Sequence, residues 1–385
     1  MNTKAMLQLP PGSAGLFLEE AARHQQAIDV TNRLYSQWGY TIVQTPMVDF
    51  FDAHSHMLTA AEQSRLYRLI GRDGEVLMLR SDITIFLLKH FQSLLKGAEF
   101  PVRLAYSDSI LRHEDSIDIS RNEHYQSGAE LIGGEIMDSD LEILLMLSEQ
   151  LNALGLERPA VHIGSRRIFN QIFKEIESRS LLREIEAAIL ERDWKAVEPL
   201  TSDIFDAETA RTIGRLFSMI SDIHSPPGNS GETGSEAEKD RLKELMSLAE
   251  DPRIAQLAPG ISGDISYLGE LCSTVSEYFP RMQFRVDLSE IGQRHYYSGM
   301  VFQVYASGIP YGIASGGRYD DLIEEMGMSS GAVGFSIMLS ALGGMNPQGN
   351  PSEPRRLSRE EPEMNFRSRY EKAREMRKNG GSVCL

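Results

Sequence analysis

Between Leu288 and Ser340 the chain leaves little choice of fold. Arg294-His295-Tyr296-Tyr297-Ser298-Gly299 leads into Met300-Val301-Phe302-Gln303-Val304-Tyr305, whose bulky, β-favouring residues predict a strand. Gly308-Ile309-Pro310 is a hairpin signal. Ala314-Ser315-Gly316-Gly317-Arg318-Tyr319-Asp320-Asp321 follows, and its double glycine lets other atoms approach the backbone closely because no Cβ intervenes. Leu322 begins a short helix, and Ala332-Val333-Gly334-Phe335 reads as a further strand. Strand, turn, strand, glycine turn, helix and strand in that order predict an antiparallel sheet flanked by helices, an α+β fold. Two adjacent tyrosines beside a double glycine suit a pocket for a small polar ring. A well-packed sheet with half-buried tyrosines explains the same residues, and the pattern alone leaves both readings open.

The remainder supports an ordinary globular chain of two or three domains. It has 385 residues, 41% hydrophobic and 24% charged, enough to build a sizeable core. A net charge of −16 argues against a protein that mainly grips a nucleic-acid backbone. The cysteines, Cys272 and Cys384, are too few and too far apart for a disulfide framework or a thiolate metal site. No metal and no cofactor is expected. The start of the chain lacks the apolar core of a signal peptide, and no stretch approaches the ~20 apolar residues of a membrane span. A cytoplasmic protein is the expectation.

From the N-terminus, Leu9-Pro10-Pro11-Gly12 is a stiff turn and Glu19 to Trp38 a helix ended by Gly39. Tyr40 to Thr45 is a strand stopped by Pro46. Tyr67–Ile70 and Val76–Arg80 flank an Asp-Gly turn and predict a hairpin. In Leu79-Arg80-Ser81-Asp82-Ile83-Thr84 a strand gives way to a helix, where Ser81 or Asp82 can cap the first N–H groups. Val102–Tyr106 is a strand, Ser109–Glu114 begins another, and His124–Gly133 returns. Gln126 and Glu130, four apart on that strand, share a face, which reads as a polar pocket set among apolar neighbours; a surface carboxylate is the plainer account of Glu130. A helix over Asp138–Leu154 and a strand at Val161–Gly164 follow, with His162 read as a strand residue rather than a ligand. Residues 165–275 read as a mainly helical insertion carrying a flexible loop at Ser225–Ser235, and 346–385 as a linker and charged helical tail. Residues 1–164 and 276–345 form the core.

These segments resemble, in order, the motifs of histidyl-tRNA synthetase, a class II aminoacyl-tRNA synthetase. Tyr296-Tyr297-Ser298-Gly299 and Gly316-Gly317-Arg318-Tyr319-Asp320 resemble its two histidine-recognition motifs, Arg-Gly-Leu-Asp-Tyr-Tyr-Thr-Gly and Gly-Gly-Arg-Tyr-Asp-Gly-Leu. Helix, Gly39-Tyr40 and the strand to Thr45-Pro46 resemble motif 1, which in that family builds a dimer interface. Leu79 to Thr84 resembles Leu-Arg-Pro-Glu-x-Thr, with Asp82 one methylene shorter than the family's glutamate. Arg112, Glu114, Gln126 and Glu130 fall on motif 2 without a gap. The resemblance implies that Asp82, Thr84, Arg112, Gln126, Glu130, Tyr296 and Tyr297 line a histidine pocket. Carboxylates would meet the ammonium and imidazole, and Arg112 would clamp the ligand carboxylate bidentately.

The departures from the synthetase are chemical. The motif 2 loop, basic in the family, is Asp115-Ser116-Ile117-Asp118-Ile119-Ser120, and carboxylates there repel phosphate. Ser340 and Ala341 stand at the motif 3 Glu and Arg, removing the charge-assisted clamp on the ATP γ-phosphate. Gly292 occupies the family's catalytic arginine position, with Arg294 two residues on. There is no room for the C-terminal anticodon-binding domain. A kept histidine face without the activation chemistry resembles the regulatory subunits of ATP phosphoribosyltransferase, paralogues of the synthetase in histidine biosynthesis. That resemblance implies a non-catalytic protein with a short-form catalytic subunit as partner, histidine as feedback effector, self-association through a synthetase-like dimer interface, and no nucleic-acid or membrane partner. A divergent histidyl-tRNA synthetase lacking its anticodon-binding domain is the alternative.

Overall fold

Nine strands make one twisted sheet that carries helices. The computed structural model describes residues 12–113, 122–156, 158–224, 236–325, 327–328 and 330–342, together with 355–356 and 383–384. Helix α1 (Leu18–Gln37) stops at Gly39, whose φ of +78° suits glycine, and β1 (Thr41–Ile42) follows. The strand expected over Tyr40–Thr45 is only these two residues. A three-stranded side sheet, β2 (Val48–Phe50), β3 (Arg68–Ile70) and β4 (Val76–Leu79), has β4 at its centre. Between β2 and β3 lie α2 (Phe51–His54), a 3₁₀ turn (Ser55–Met57) and α3 (Ala60–Ser64). The predicted Asp-Gly hairpin joins β3 to β4, with Gly74 at φ +85°.

Helix α4 (Ile83–Leu94) leads to β5 (Val102–Leu111) and β6 (Glu123–Ile132). β5 is one ten-residue strand, where sequence reading broke it between Tyr106 and Ser109. The ladder to β6 runs unbroken through Ser107, Asp108 and Ser109, and this cross-strand pairing carries the polar residues that had looked like an interruption. Next come α5 (Ile136–Ala153) and β7 (Ala160–Ser165), then the helices α6 (Arg166–Ile172), α7 (Arg179–Leu190), α8 (Trp194–Ser202) and α9 (Ala207–Ser218). Strand β8 (Ile220–His224) precedes α10 (Glu236–Ala249), α11 (Pro252–Leu257) and α12 (Ile261–Tyr278). Strands β9 (Gln283–Asp287), β10 (Met300–Tyr305), β11 (Ala314–Arg318) and β12 (Ala332–Met338) complete the sheet, with α13 (Asp320–Glu325) before β12 and a 3₁₀ turn (Leu339–Leu342) after it.

The strand order is β1-β5-β6-β12-β11-β10-β7-β9-β8. Pairing is antiparallel throughout the centre and parallel only between β1 and β5 and between β7 and β9, so the sheet is mixed. α5 covers it with Ile143, Leu144, Met146, Leu147 and Leu151, all buried; burying each such side chain is worth about 1.5–3 kcal/mol. Among its described residues the 165–275 stretch is mainly helical, with β8 as a strand that pairs with β9. Its Ile185, Ile189, Phe217 and Ile265 belong to the same apolar cluster as the sheet's Val161, Phe284 and Phe302.

Residues Met1–Met345 form one compact unit and Asn346–Leu385 a second. In the second, Arg355–Arg356 pairs in parallel with Val383–Cys384. The N-terminal Pro-Pro turn, Glu114 and the acidic 115–120 loop, the 225–235 loop and the expected tail helix lie outside the described residues. No helix among the described residues is long and apolar enough to cross a membrane.

Candidate functional site

Two structural elements converge on one face of the central sheet. The first is β6, which presents Gln126 and Glu130 to the same side, as a spacing of four on a strand requires. The second is the start of α4. Asp82 caps that helix, its Oδ1 accepting from the Ile85 amide at 3.2 Å. Gln126 locks the two together: its Oε1 accepts from the Ile83 amide at 2.9 Å, and its Nε2 donates to Asp82 Oδ2 at 3.3 Å. The capping role of Asp82 read from the sequence and its place in the pocket therefore coexist.

Glu130 sits at the floor, only 1% exposed. Thr84 Oγ1 donates to its Oε1 at 2.8 Å, and the Tyr319 hydroxyl to its Oε2 at 2.6 Å. With the Thr84 hydrogen committed, Tyr106 donates to Thr84 Oγ1 at 2.8 Å. Among the described residues no cationic side chain is hydrogen-bonded to Glu130. Burial, helped by the nearby Asp82 charge, pushes its carboxyl up to about 7, against the pull of the Tyr319 and Thr84 hydroxyls. The facing residue on β12 is Gly334, and a Cβ there would lie 1.8 Å from Glu130 Oε2. The carboxylate has room only because that position is glycine.

The double glycine works in the same manner. A Cβ on Gly316 would meet Phe302 Cζ at 2.5 Å, and one on Gly317 would meet Tyr297 Cδ1 at 3.0 Å. Close approach was expected there, and what comes nearest is backbone, the Gly334 carbonyl at 2.3 Å from the Gly316 position and the Met300 carbonyl at 2.6 Å from the Gly317 position, with the side chains just behind. Tyr296 stands edge-on to Tyr297 at 5.0 Å and to Tyr319 at 5.7 Å between ring centroids, which makes an aromatic wall beside Glu130. Arg318 and Asp320 of the same motif serve the scaffold instead. Arg318 binds buried Asp140 of α5 through Nε at 3.0 Å and NH2 at 2.6 Å, and Asp320 Oδ1 accepts from the Ala332 amide at 2.8 Å.

Asp82, Thr84, Arg112, Gln126, Glu130, Tyr296 and Tyr297 all line one cavity of about 750 Å³, within the usual size range of small-molecule sites. Glu62, Arg294 and Tyr319 line it as well. Tyr319 stands two residues after the double glycine in the Gly316–Asp320 motif, and that proximity is its signal in the sequence. Glu62 carried no signal, because its approach depends on the tertiary fold. Arg294 reaches both Asp82 Oδ2, at 2.8 Å, and Glu62 Oε1. Gly292 turns the backbone at φ +75°, and a Cβ there would meet Tyr297 at 2.5 Å, so a side chain at this position collides with the aromatic wall. Ser340 accepts from the Tyr125 amide at 3.2 Å.

A second polar cluster lies on β7, at the end of β9 and just beyond it. His162, Asp287 and Glu290 bring three potential ligand atoms within 4.8 Å of one another. Arg192 supplies a cation between the carboxylates, at 2.7 Å from Asp287 and 3.1 Å from Glu290, and His162 Nδ1 meets Asp287 at 2.8 Å. Burial opposes ionisation of Asp287, but His162, Arg192 and Ser289 outweigh it and hold the carboxyl below its ordinary range. His162 is thus a strand residue hydrogen-bonded into a buried cluster of carboxylates and an arginine.

The family model for histidyl-tRNA synthetase matches residues 12–342. An ATP phosphoribosyltransferase regulatory subunit from Moorella thermoacetica is 29% identical over 343 residues, covering 89% of this chain and 82% of that protein. Among solved structures, an ATP phosphoribosyltransferase regulatory subunit/histidyl-tRNA synthetase from Bacillus halodurans superposes with a TM-score of 0.75 at 21% identity, covering 99% of this chain and 92% of that one. A chain of an ATP phosphoribosyltransferase (HisG:HisZ) complex from Thermotoga maritima gives a TM-score of 0.58 at 18% identity, covering 84% of this chain and 97% of that one. The chain therefore belongs to the histidyl-tRNA synthetase family, within which it resembles the ATP phosphoribosyltransferase regulatory subunits.

Proposed function

We propose that this chain is the non-catalytic regulatory subunit of an ATP phosphoribosyltransferase, that it works with a short catalytic subunit in the first step of histidine biosynthesis, and that its cavity binds histidine as the feedback effector. The observation that carries the effector site is Glu130, a buried carboxylate held by two hydroxyls, with no cation among the described residues hydrogen-bonded to it and an aromatic wall beside it. An imidazole N–H is the partner such a group lacks. Asp82 would meet the ammonium through the oxygen that Arg294 now holds, and Arg112 would bring a guanidinium to the carboxylate. The polar groups of free histidine thus each have a counterpart. Ser340 and Ala341, where the synthetase carries Glu and Arg, support a binding role over adenylate formation.

The apolar face of the side sheet supports self-association. Val48, Phe50 and Leu69 are exposed, and register places Phe50 and Leu69 on either side of Leu77, with Val48 beside Leu79. Met78, pointing the other way, is fully buried. We infer that a second copy of the chain covers this face.

The test is phosphoribosyl-ATP formation by the short catalytic subunit with and without this protein, across a histidine titration. Activity that appears on mixing and falls with histidine is expected. Activity indifferent to this chain, together with histidine-dependent ATP–pyrophosphate exchange by the chain alone, would establish the synthetase alternative.

A further inference from the structure

One guanidinium joins two helix caps in the lining of the cavity. Glu62 is the capping-box residue of α3: its Oε2 accepts from the Thr59 amide at 2.8 Å and the Thr59 hydroxyl at 3.0 Å, while Thr59 Oγ1 accepts from the Glu62 amide at 3.1 Å. Its Oε1 takes Arg294 NH1. Asp82 is the cap of α4, its Oδ1 engaged by the Ile85 amide and its Oδ2 by Gln126 and by Arg294 NH2 at 2.8 Å. The Arg294 side chain is 20% exposed, within reach of a ligand entering the cavity it lines.

Resting on the histidine-binding reading, we propose that Arg294 is a resident competitor for the ammonium subsite. Its NH2 occupies the oxygen of Asp82 that a ligand ammonium needs, so a ligand carrying that charge binds by displacing it. Asp82 has no oxygen to spare, because its other one holds the first turn of α4. The displaced guanidinium keeps its bond to Glu62, so α3 holds it close enough to return when the ligand leaves. The pocket thereby sets its affinity for α-amino acids through a residue that need not touch any other part of the ligand. Glycine at 292 permits the turn that delivers it: a side chain there would strike Tyr297.

The experiment compares two ligands on the full chain by titration calorimetry: histidine, and imidazole-4-propionate, which is histidine without its amino group. The ratio of their dissociation constants isolates the ammonium contribution whatever else a substitution does to the pocket. Arg294→Gln is expected to widen the preference for histidine by about fivefold or more, the scale of one partly screened ion pair removed from competition. A ratio that is unchanged or narrowed overturns the proposal, and Arg294 is then a bystander or a direct clamp on the ligand. Should Arg294→Gln not fold, Arg294→Lys is read by the same ratio, since one ammonium cannot span both carboxylates. Wild-type protein that binds no histidine overturns the underlying reading and this inference with it. Wild-type protein that binds histidine, with an unaltered ratio in the variants, overturns this inference alone.

Discussion

Glu130→Gln should make the protein more stable in mildly alkaline solution while weakening its hold on histidine. The wild-type carboxyl rises from an ordinary 4.5 to about 7 because it is fully buried. At ~1.4 kcal/mol per pH unit, that rise corresponds to about 3 kcal/mol of differential ionisation cost. The folded-state value is raised, so the folded protein binds the proton more tightly than the unfolded chain. The associated stability is fully present below pH 4.5 and is lost as pH climbs through 7. Glutamine has the same shape, cannot ionise, and can still meet hydroxyls that both donate and accept. Urea denaturation of the two proteins between pH 5 and 8.5 is the assay. The difference in unfolding free energy should move in favour of the variant by up to about 3 kcal/mol as pH rises. Histidine affinity, measured by calorimetry at pH 8, should fall in the same variant. Parallel stability curves across this window would refute the reasoning, since they would mean that Glu130 has an ordinary pKa or ready access to water.

Two further outcomes follow from packing. Gly334→Ala places a Cβ 1.8 Å from Glu130 Oε2, so it should cost about 1–3 kcal/mol of stability and weaken histidine binding at least about tenfold, read by denaturation and calorimetry together. Leu69→Lys, on the open face of the side sheet, should convert an oligomer to monomers in sedimentation velocity while leaving thermal stability within about 0.5 kcal/mol; an unchanged sedimentation coefficient would place the interface elsewhere.

The elements that read clearly in the sequence were those whose local and tertiary preferences agree. The Asp-Gly turn after Arg72, the β10 strand and the helix ended by Gly39 fall where their residues put them. Gln126 and Glu130 were legible as neighbours because they share a strand face, and Asp82 as a cap because it sits at a strand-to-helix junction; that they line one cavity with Thr84, Arg112, Tyr296 and Tyr297 was implied only by the resemblance. What could not be read is long-range. Arg294 bonds to residues 212 and 232 positions away in the chain, and no local pattern encodes those pairings. Ile220 to His224 was absorbed into the helical stretch because its strand character depends on β9 being alongside. Tyr319 was visible as a letter in a motif, but its role needed the knowledge that Glu130 lies opposite Gly334.

The ends of the large sheet also bear on how the molecule meets others. One outer strand, β1, is two residues long, and the other, β8, is broken by a register irregularity between Asp222 and His224. Neither offers a long, straight row of unpaired amides and carbonyls, the kind of edge that invites another chain to add itself by backbone hydrogen bonding. Because β8 comes from the helical stretch, cutting that stretch away would bare β9, a strand of the same length whose pairing with β7 runs without a register shift. Its presence thus guards the folded protein against edge-to-edge aggregation, and leaves contact between copies to be decided by side chains.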